Sequence, residues 1–243
     1  MKTIRTIATT AALAALGLAF AQSAAAQSSG TLTSTLNVTG TLAPAACDVT
    51  FVGGDTIDFG NIASTSLSAN TFRKIGQSQD KTLQVVCGAN TNAFVSVQDN
   101  RAASAIQDPT IRVALGSTVG LNNLFGLGSV DGPSGPVNIG SYTIKMSPAS
   151  VVTTYGGTSV QQPAVLSSAD KSAWAASAAP VLMIGNGGEY YTAGSLGASP
   201  TPVAARTFNF PLTIDAALNN TTVLPLGDEV KLNGSATFTV AYQ

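Results

Sequence analysis

The chain has 243 residues, of which 44% are hydrophobic, 9% charged and 6% aromatic. That length fits one large all-β domain or two small domains, and charge this sparse excludes disorder driven by repulsion. There is no histidine and there are only two cysteines, which excludes zinc centres and both Ser-His-Asp and Cys-His catalysis.

Residues 1–26 read as a secretory signal. Lys2 and Arg5 form a positive start, Ala8 to Ala21 is an apolar run too short to span a bilayer, and Ala24-Ala25-Ala26 is a small-residue cleavage site. Ala19-Phe20-Ala21 is a second possible cleavage site. The 11 basic residues include Lys2 and Arg5, so the exported part holds fewer basic residues than its 12 acidic ones. Binding to nucleic acid by phosphate neutralisation is not expected from that balance.

After the signal, helical patterning is nearly absent. From Thr31 to Leu42 the chain alternates: Leu32, Ser34, Leu36, Val38, Gly40 and Leu42 share one face, and polar residues share the other. Pro44 ends this run. Thr56 to Phe59 reads as a short strand closed by Gly60. Lys81 to Cys87 and Ala93 to Val97 alternate as strands, joined by the turn-rich Gly88-Ala89-Asn90-Thr91-Asn92. Strands are also expected at Thr110–Leu115, Gly140–Met146, Arg206–Ile214 and Gly234–Tyr242. The stretch 153–202 is rich in Ala, Gly, Ser, Thr and Pro. It reads as a long surface insertion with some local order, including a short helix over Ser168–Ala179 with Ser168 as N-cap.

Cys47 and Cys87 form an even pair in an exported chain. That points to a disulfide worth about 4 kcal/mol in the chain-entropy model, with two buried free thiols as the alternative. Short strands, turn signals and one disulfide together predict a β-sandwich.

Chemistry-bearing constellations are missing. The pairs Asp55/Asp58 and Asp228/Glu229 read as solvated turn residues. The glycines from Gly185 to Gly188 lack the Lys-Ser/Thr of a phosphate loop. No catalytic, cofactor-binding or metal-binding residue is therefore expected, and the chain reads as a non-enzyme. Trp174, Tyr155, Tyr190 and Tyr191 fall within 153–202. They read as a small satellite core, with a sugar-stacking platform as the alternative.

Several runs resemble fimbrial subunits (pilins) of the chaperone–usher pathway. Val38-Thr39-Gly40-Thr41-Leu42 followed by Ala45-Ala46-Cys47 is similar to the opening of a pilin domain. Ile57-Asp58-Phe59-Gly60-Asn61-Ile62, Leu83-Gln84-Val85-Val86-Cys87 and the terminal Gly234–Tyr242 match later pilin strands. Asp99-Asn100-Arg101, Phe125-Gly126-Leu127-Gly128, Ile139-Gly140-Ser141-Tyr142 and Leu232–Thr237 look like the proteobacterial beta-fimbrial major-subunit type. The chain is longer than common pilins, and Gly227 and Gly234 do not sit at the usual distance from the end.

The resemblance implies an immunoglobulin-like sandwich lacking its last strand, with residues 38–243 as the domain. It implies that residues 27–37 form a donor extension carrying Leu32, Ser34 and Leu36, and that Ala236, Phe238, Val240 and Tyr242 line the receiving groove. A chaperone would anchor the terminal carboxylate of Gln243. The implied partners are identical or related subunits, a periplasmic chaperone, an outer-membrane usher and a surface glycan. The implied address is the cell surface, reached through the periplasm. On the residues alone, 31–42 reads rather as an ordinary first strand of a complete sandwich and Ala236–Tyr242 as an ordinary last one; the resemblance turns the reading to a donor strand. A minor or tip subunit, or a secreted lectin-like module, is the alternative function.

Overall fold

A computed structural model describes residues 46–154 and 156–243, together with Asn37. The chain divides into two compact units, Met1–Leu42 and Ala43–Gln243. Apart from Asn37, the described residues belong to the second unit. The expected signal segment, the donor residues Leu32, Ser34 and Leu36, and Tyr155 lie outside the described residues.

The second unit is all-β. In chain order its strands are β1 (Cys47–Val52), β2 (Arg73–Thr91), β3 (Ala93–Asp99), β4 (Phe125–Gly126), β5 (Ser129–Gly132), β6 (Gly135–Asn138), β7 (Gly140–Met146) and β8 (Ser150–Val152). They continue with β9 (Val160–Gln161), β10 (Ala164–Ser168), β11 (Ala175–Ser177), β12 (Val181–Leu182), β13 (Tyr190–Gly194), β14 (Ala205–Leu218) and β15 (Ala236–Tyr242). The larger sheet runs β1-β2-β14-β7-β12, with β4 added to β7, and β8 and β9 added beside β14. The smaller sheet runs β11-β10-β13-β3-β15, and β5 and β6 form a separate hairpin.

The period-2 pattern explains how the sheets face each other. Leu83 and Val85 on β2 stand opposite Phe210 and Phe208 on β14, and all four are buried. Val95 and Val97 on β3, Val165 on β10 and Tyr191 on β13 fill the same core from the smaller sheet. Burying alternate apolar side chains between two sheets is what makes a sandwich stable. The expected β-sandwich with a Cys47–Cys87 disulfide is the observed fold.

Pro211 sits inside the long strand β14, an unusual place for a residue that cannot donate to a ladder. Its neighbours account for it. On one side β14 pairs with β8 up to Asn209 and with β7 from Leu212 onward, so Pro211 falls at the break between the two partners.

Four local expectations are corrected. Thr110–Leu115 is not a strand but a 3-10 turn, Pro109–Ile111, running into a short helix, α1 (Arg112–Leu115). The Asp108 carboxylate accepts the Thr110 N–H at 2.8 Å, and Pro109 is pre-set for a helical first turn. Ile111 and Leu115 then share one face and enter a second small core with Ile106, Val119, Leu124 and Ala217. Gly88 to Thr91, expected to be a turn, extends β2, so the chain crosses to the other sheet at Asn92 alone.

Residues 56–59 are not in a ladder, although Ile57 and Phe59 still pack inward. No helix spans Ser168–Ala179. The Ser168 hydroxyl does accept the N–H of Lys171 at 2.9 Å, as a cap would, but Lys171 has φ 64 and turns the chain back. The Asp170 carboxylate, accepting from Ser172 and Ala173, fixes that turn.

The stretch 153–202 is built into the sandwich and is not a surface excursion. It supplies β10 and β13, two interior strands of the smaller sheet. Its small residues serve close packing as well as turns. At Gly194 a Cβ would collide with the Thr201 carbonyl and the Leu166 side chain.

Candidate functional site

Two long strands are sheet edges, and they flank the same side of the sandwich. Among the described residues, β1 ends the larger sheet and β15 ends the smaller one. An aromatic pair joins them: the rings of Phe51 and Phe238 lie 5.3 Å apart at 83°, edge to face. The edges on the opposite side, β11 and β12, are only three and two residues long. Long free edges invite pairing with another chain, and short ones do not. Any strand addition is therefore directed to the β1/β15 side.

The residues expected to line a groove lie on and just after β15, and of them Ala236 and Phe238 line the cleft described below while Val240, Tyr242 and Gln243 do not. Ala236, Phe238 and Val240 on β15 pack partly against the core, while Tyr242 is exposed. β15 is bonded along β3 from Ala236–Asp99 to Tyr242–Ala93, leaving its other side without a ladder partner among the described residues. Gln243 is tied at the end of this strand: its main-chain oxygen accepts from the Thr91 hydroxyl at 2.7 Å and the Asn92 N–H at 3.0 Å. On β1, Val49 stands opposite Val85, so both side chains face inward. Val85 is 0% exposed, yet Val49 is 39% exposed, which marks the sandwich as open at that edge.

From Phe51 and Phe238 the gap between the edges widens into a cleft of about 1440 Å³. Its floor is core: Leu127, Ile139, Ile144, Leu212, Ile214 and Leu218. Its walls are two irregular segments, 55–63 and 228–235. In the first, Ile57, Phe59 and Ile62 pack inward; in the second, Val230 and Leu232 do so. Their residues alternate in burial as a strand would, but neither segment belongs to a sheet. Sequence reasoning missed the wall formed by Val230 and Leu232, although their alternation with Lys231 was a readable signal.

The cleft rim is polar. Asp55, Asp58, Asp228, Glu229 and Lys231 are exposed there. The Asp58 carboxylate accepts the Gly60 N–H at 2.7 Å, and Gly60 then turns the chain with φ 68. Lys81 Nζ donates to the carbonyls of Gly53 and Gly54, pinning the chain where it leaves β1. Among the described residues no group of His, Cys, Asp or Glu is placed to hold a metal ion.

The four motifs that look beta-fimbrial converge on one knot beside the cleft. The buried Asp99 carboxylate accepts the N–H of Arg101 and of Gly126, both at 2.8 Å. Asn100 Nδ2 donates to Ser235 Oγ at 2.9 Å and to Thr237 Oγ1 at 3.0 Å. The Arg101 guanidinium reaches the carbonyl and the side-chain oxygen of Asn233, both at 3.3 Å. Asn233 N–H donates to the Leu127 carbonyl, and Leu127 N–H to the Gly140 carbonyl. Burial, reinforced by the Asp99 charge, pushes the Tyr142 phenol well above its usual range, so it stays neutral. These contacts clamp the lead into β15 and thereby set the cleft wall.

A second polar cluster lies in the larger sheet, apart from the cleft. The Asp215 carboxylate is 3% exposed and is held by Lys74 Nζ at 2.6 Å, Lys145 Nζ at 2.8 Å and Ser78 Oγ at 2.5 Å. Burial raises its pKa, but the hydrogen bonds and the Lys145 charge outweigh that and hold it at about 2. The described aromatic residues of 153–202 belong to the smaller sheet or contact residues near it. Trp174 stacks on buried Phe94 at 5.4 Å and 19°, and Lys171 Nζ lies 4.8 Å from the Tyr190 ring centre. Tyr191 is core, its hydroxyl accepting the Ile184 N–H at 2.9 Å.

Two comparisons bear on kinship. Residues 36–143 match a family model described as protein of unknown function (DUF1120), a stretch that includes β1, the disulfide and the wall 55–63. The chain is 30% identical over 259 aligned positions to Protein GltF of Escherichia coli strain K12, with 98% of each chain covered. The likeness to fimbrial subunits rests on the motifs and not on either of these matches. An alignment running the length of both chains places this chain in the family of Protein GltF.

Proposed function

We propose that the chain is a structural subunit of a surface fimbria, assembled by chaperone–usher donor-strand exchange and supporting adhesion. The cleft between β1 and β15 carries this reading. It has an apolar floor, a sheet edge along β15 and two extended walls, and among the described residues neither that edge nor the walls have a ladder partner. A strand laid in it would pair with β15 and place alternate apolar side chains over the floor, which is the physics of strand addition.

The proposed donor is the segment 27–37 of the next subunit, with Leu32, Ser34 and Leu36 on one face. Eleven extended residues reach about 36 Å, enough to run the length of a sandwich. Before assembly a strand of a periplasmic chaperone would occupy the same cleft, and an outer-membrane usher would exchange the two.

The test is protein sheared from the surface of cells expressing the chain, run on a denaturing gel with and without boiling. The reading expects a ladder of multimers that collapses to a monomer on heating and disappears when residues 27–36 are deleted. A single monomer band in both lanes, unaffected by the deletion, would overturn it.

A further inference from the structure

The open side of the sandwich is not open along its whole length. The cleft is lined by Phe51, Phe238 and residues leading away from them toward 55–67 and 226–235. Val49, Val240 and Tyr242, on the other side of the aromatic pair, do not line it. Phe51 and Phe238 therefore stand at the point where the cleft narrows, each on an edge strand of a different sheet. Among the described residues no ladder joins β1 to β15.

We propose that Phe51 and Phe238 form a latch: they hold the two sheet edges together in the empty subunit, and an incoming strand must part them to lie along all of β15. This rests on the strand-accepting reading above. The wide part of the cleft is accessible while the rings touch, so a strand seats there first. Pairing beyond Phe238, toward Val240 and Tyr242, follows only when the rings separate. An edge-to-face pair suits such a role because it is specific in geometry yet much weaker than a β-ladder. Occupancy then proceeds in two stages, and the second is limited by the rings.

The test uses the full chain and a dye-labelled synthetic peptide of residues 27–37, followed by stopped-flow anisotropy. The parent is expected to show a fast phase that depends on peptide concentration and a slower phase that does not. In Phe238→Leu, which keeps apolar bulk but removes the ring pair, the slower phase should accelerate roughly 2- to 12-fold, the Boltzmann equivalent of one edge-to-face contact. Phe51→Leu, made on the opposite strand, should do the same and serves if the first variant loses its thermal transition. One phase of equal rate in parent and variants would overturn the latch, as would an unchanged slow phase with faster release, because the rings would then be only cleft lining. A peptide that binds neither the folded parent nor the folded variants would overturn the strand-accepting reading itself, and the latch with it.

Discussion

Cys47 and Cys87 are register partners in the β1–β2 ladder, and their disulfide closes 40 residues of sequence separation at the outer edge of the larger sheet. The bond does two things at once. It removes entropy from the unfolded chain, and it fastens β1, the strand that carries Phe51 and Val49 along the open side. Cys47→Ser is expected to lower the stability of the exported protein by about 2–4 kcal/mol, read as a shifted denaturant midpoint. Thiol labelling that finds both cysteines free in exported protein would contradict the bond.

Asp215 sets an acid limit on stability. Its folded pKa, about 2, lies below the ordinary value of 3.8. A carboxyl with a depressed folded pKa contributes stability that is fully present above the unfolded value and is lost as pH falls through the folded one. Stability should therefore drop as pH falls from about 4 toward 2. In Asp215→Asn that part of the slope should vanish, with a lower plateau at neutral pH because Lys74 and Lys145 lose their anionic partner. Unfolding free energy measured across that pH range checks the point, and an unchanged slope in the variant would contradict it.

How much of this was legible in the sequence depended on whether a signal was local. The alternating strands at 81–87, 93–97, 140–146 and 206–214 carry their own pattern and are found in β2, β3, β7 and β14. The strand of 234–242 begins two residues later, at Ala236. Thr110–Leu115 misleads because its β-branched residues favour a strand, while the cap at Asp108 and a separate small core decide for a turn and helix. In 153–202, small residues conceal two interior strands, since Ala and Gly signal turns by composition and close packing only by context. The cleft residues of β15 were readable by alternation. The inward alternation of Val230 and Leu232 was readable too, but that they wall a cleft was not, nor was the Phe51–Phe238 contact, because both depend on segments brought together from distant parts of the chain.

The knot around Asp99 predicts two costly substitutions. A Cβ at Gly126 would collide with the Arg101 carbonyl and the Ser104 hydroxyl, so Gly126→Ala forces the backbone apart. It should cost about 1–3 kcal/mol, as overpacking does. Asp99→Asn keeps the size but gives up a charge-assisted acceptor for the Arg101 and Gly126 N–H groups, at about 1.5–3 kcal/mol. Hydrogen exchange locates the damage. The amides of 232–237 should lose protection before those of β2 and β14, and uniform loss would mean the knot is not a separate clamp.

Val49 separates folding from assembly. It faces inward on β1 but is 39% exposed, while its partner Val85 is fully covered. A lysine at Val49 can keep its ammonium in water and so should leave the unfolding midpoint nearly unchanged. The same substitution at Val85 buries an unpaired charge and should unfold the protein. On the open edge, however, the Val49→Lys charge lies beside the path of an incoming strand, the arrangement by which natural sheet edges repel pairing. Cells producing Val49→Lys should therefore yield folded protein without the heat-sensitive multimer ladder. A normal ladder from this variant would mean that strand pairing does not extend past Phe51 to this part of the edge.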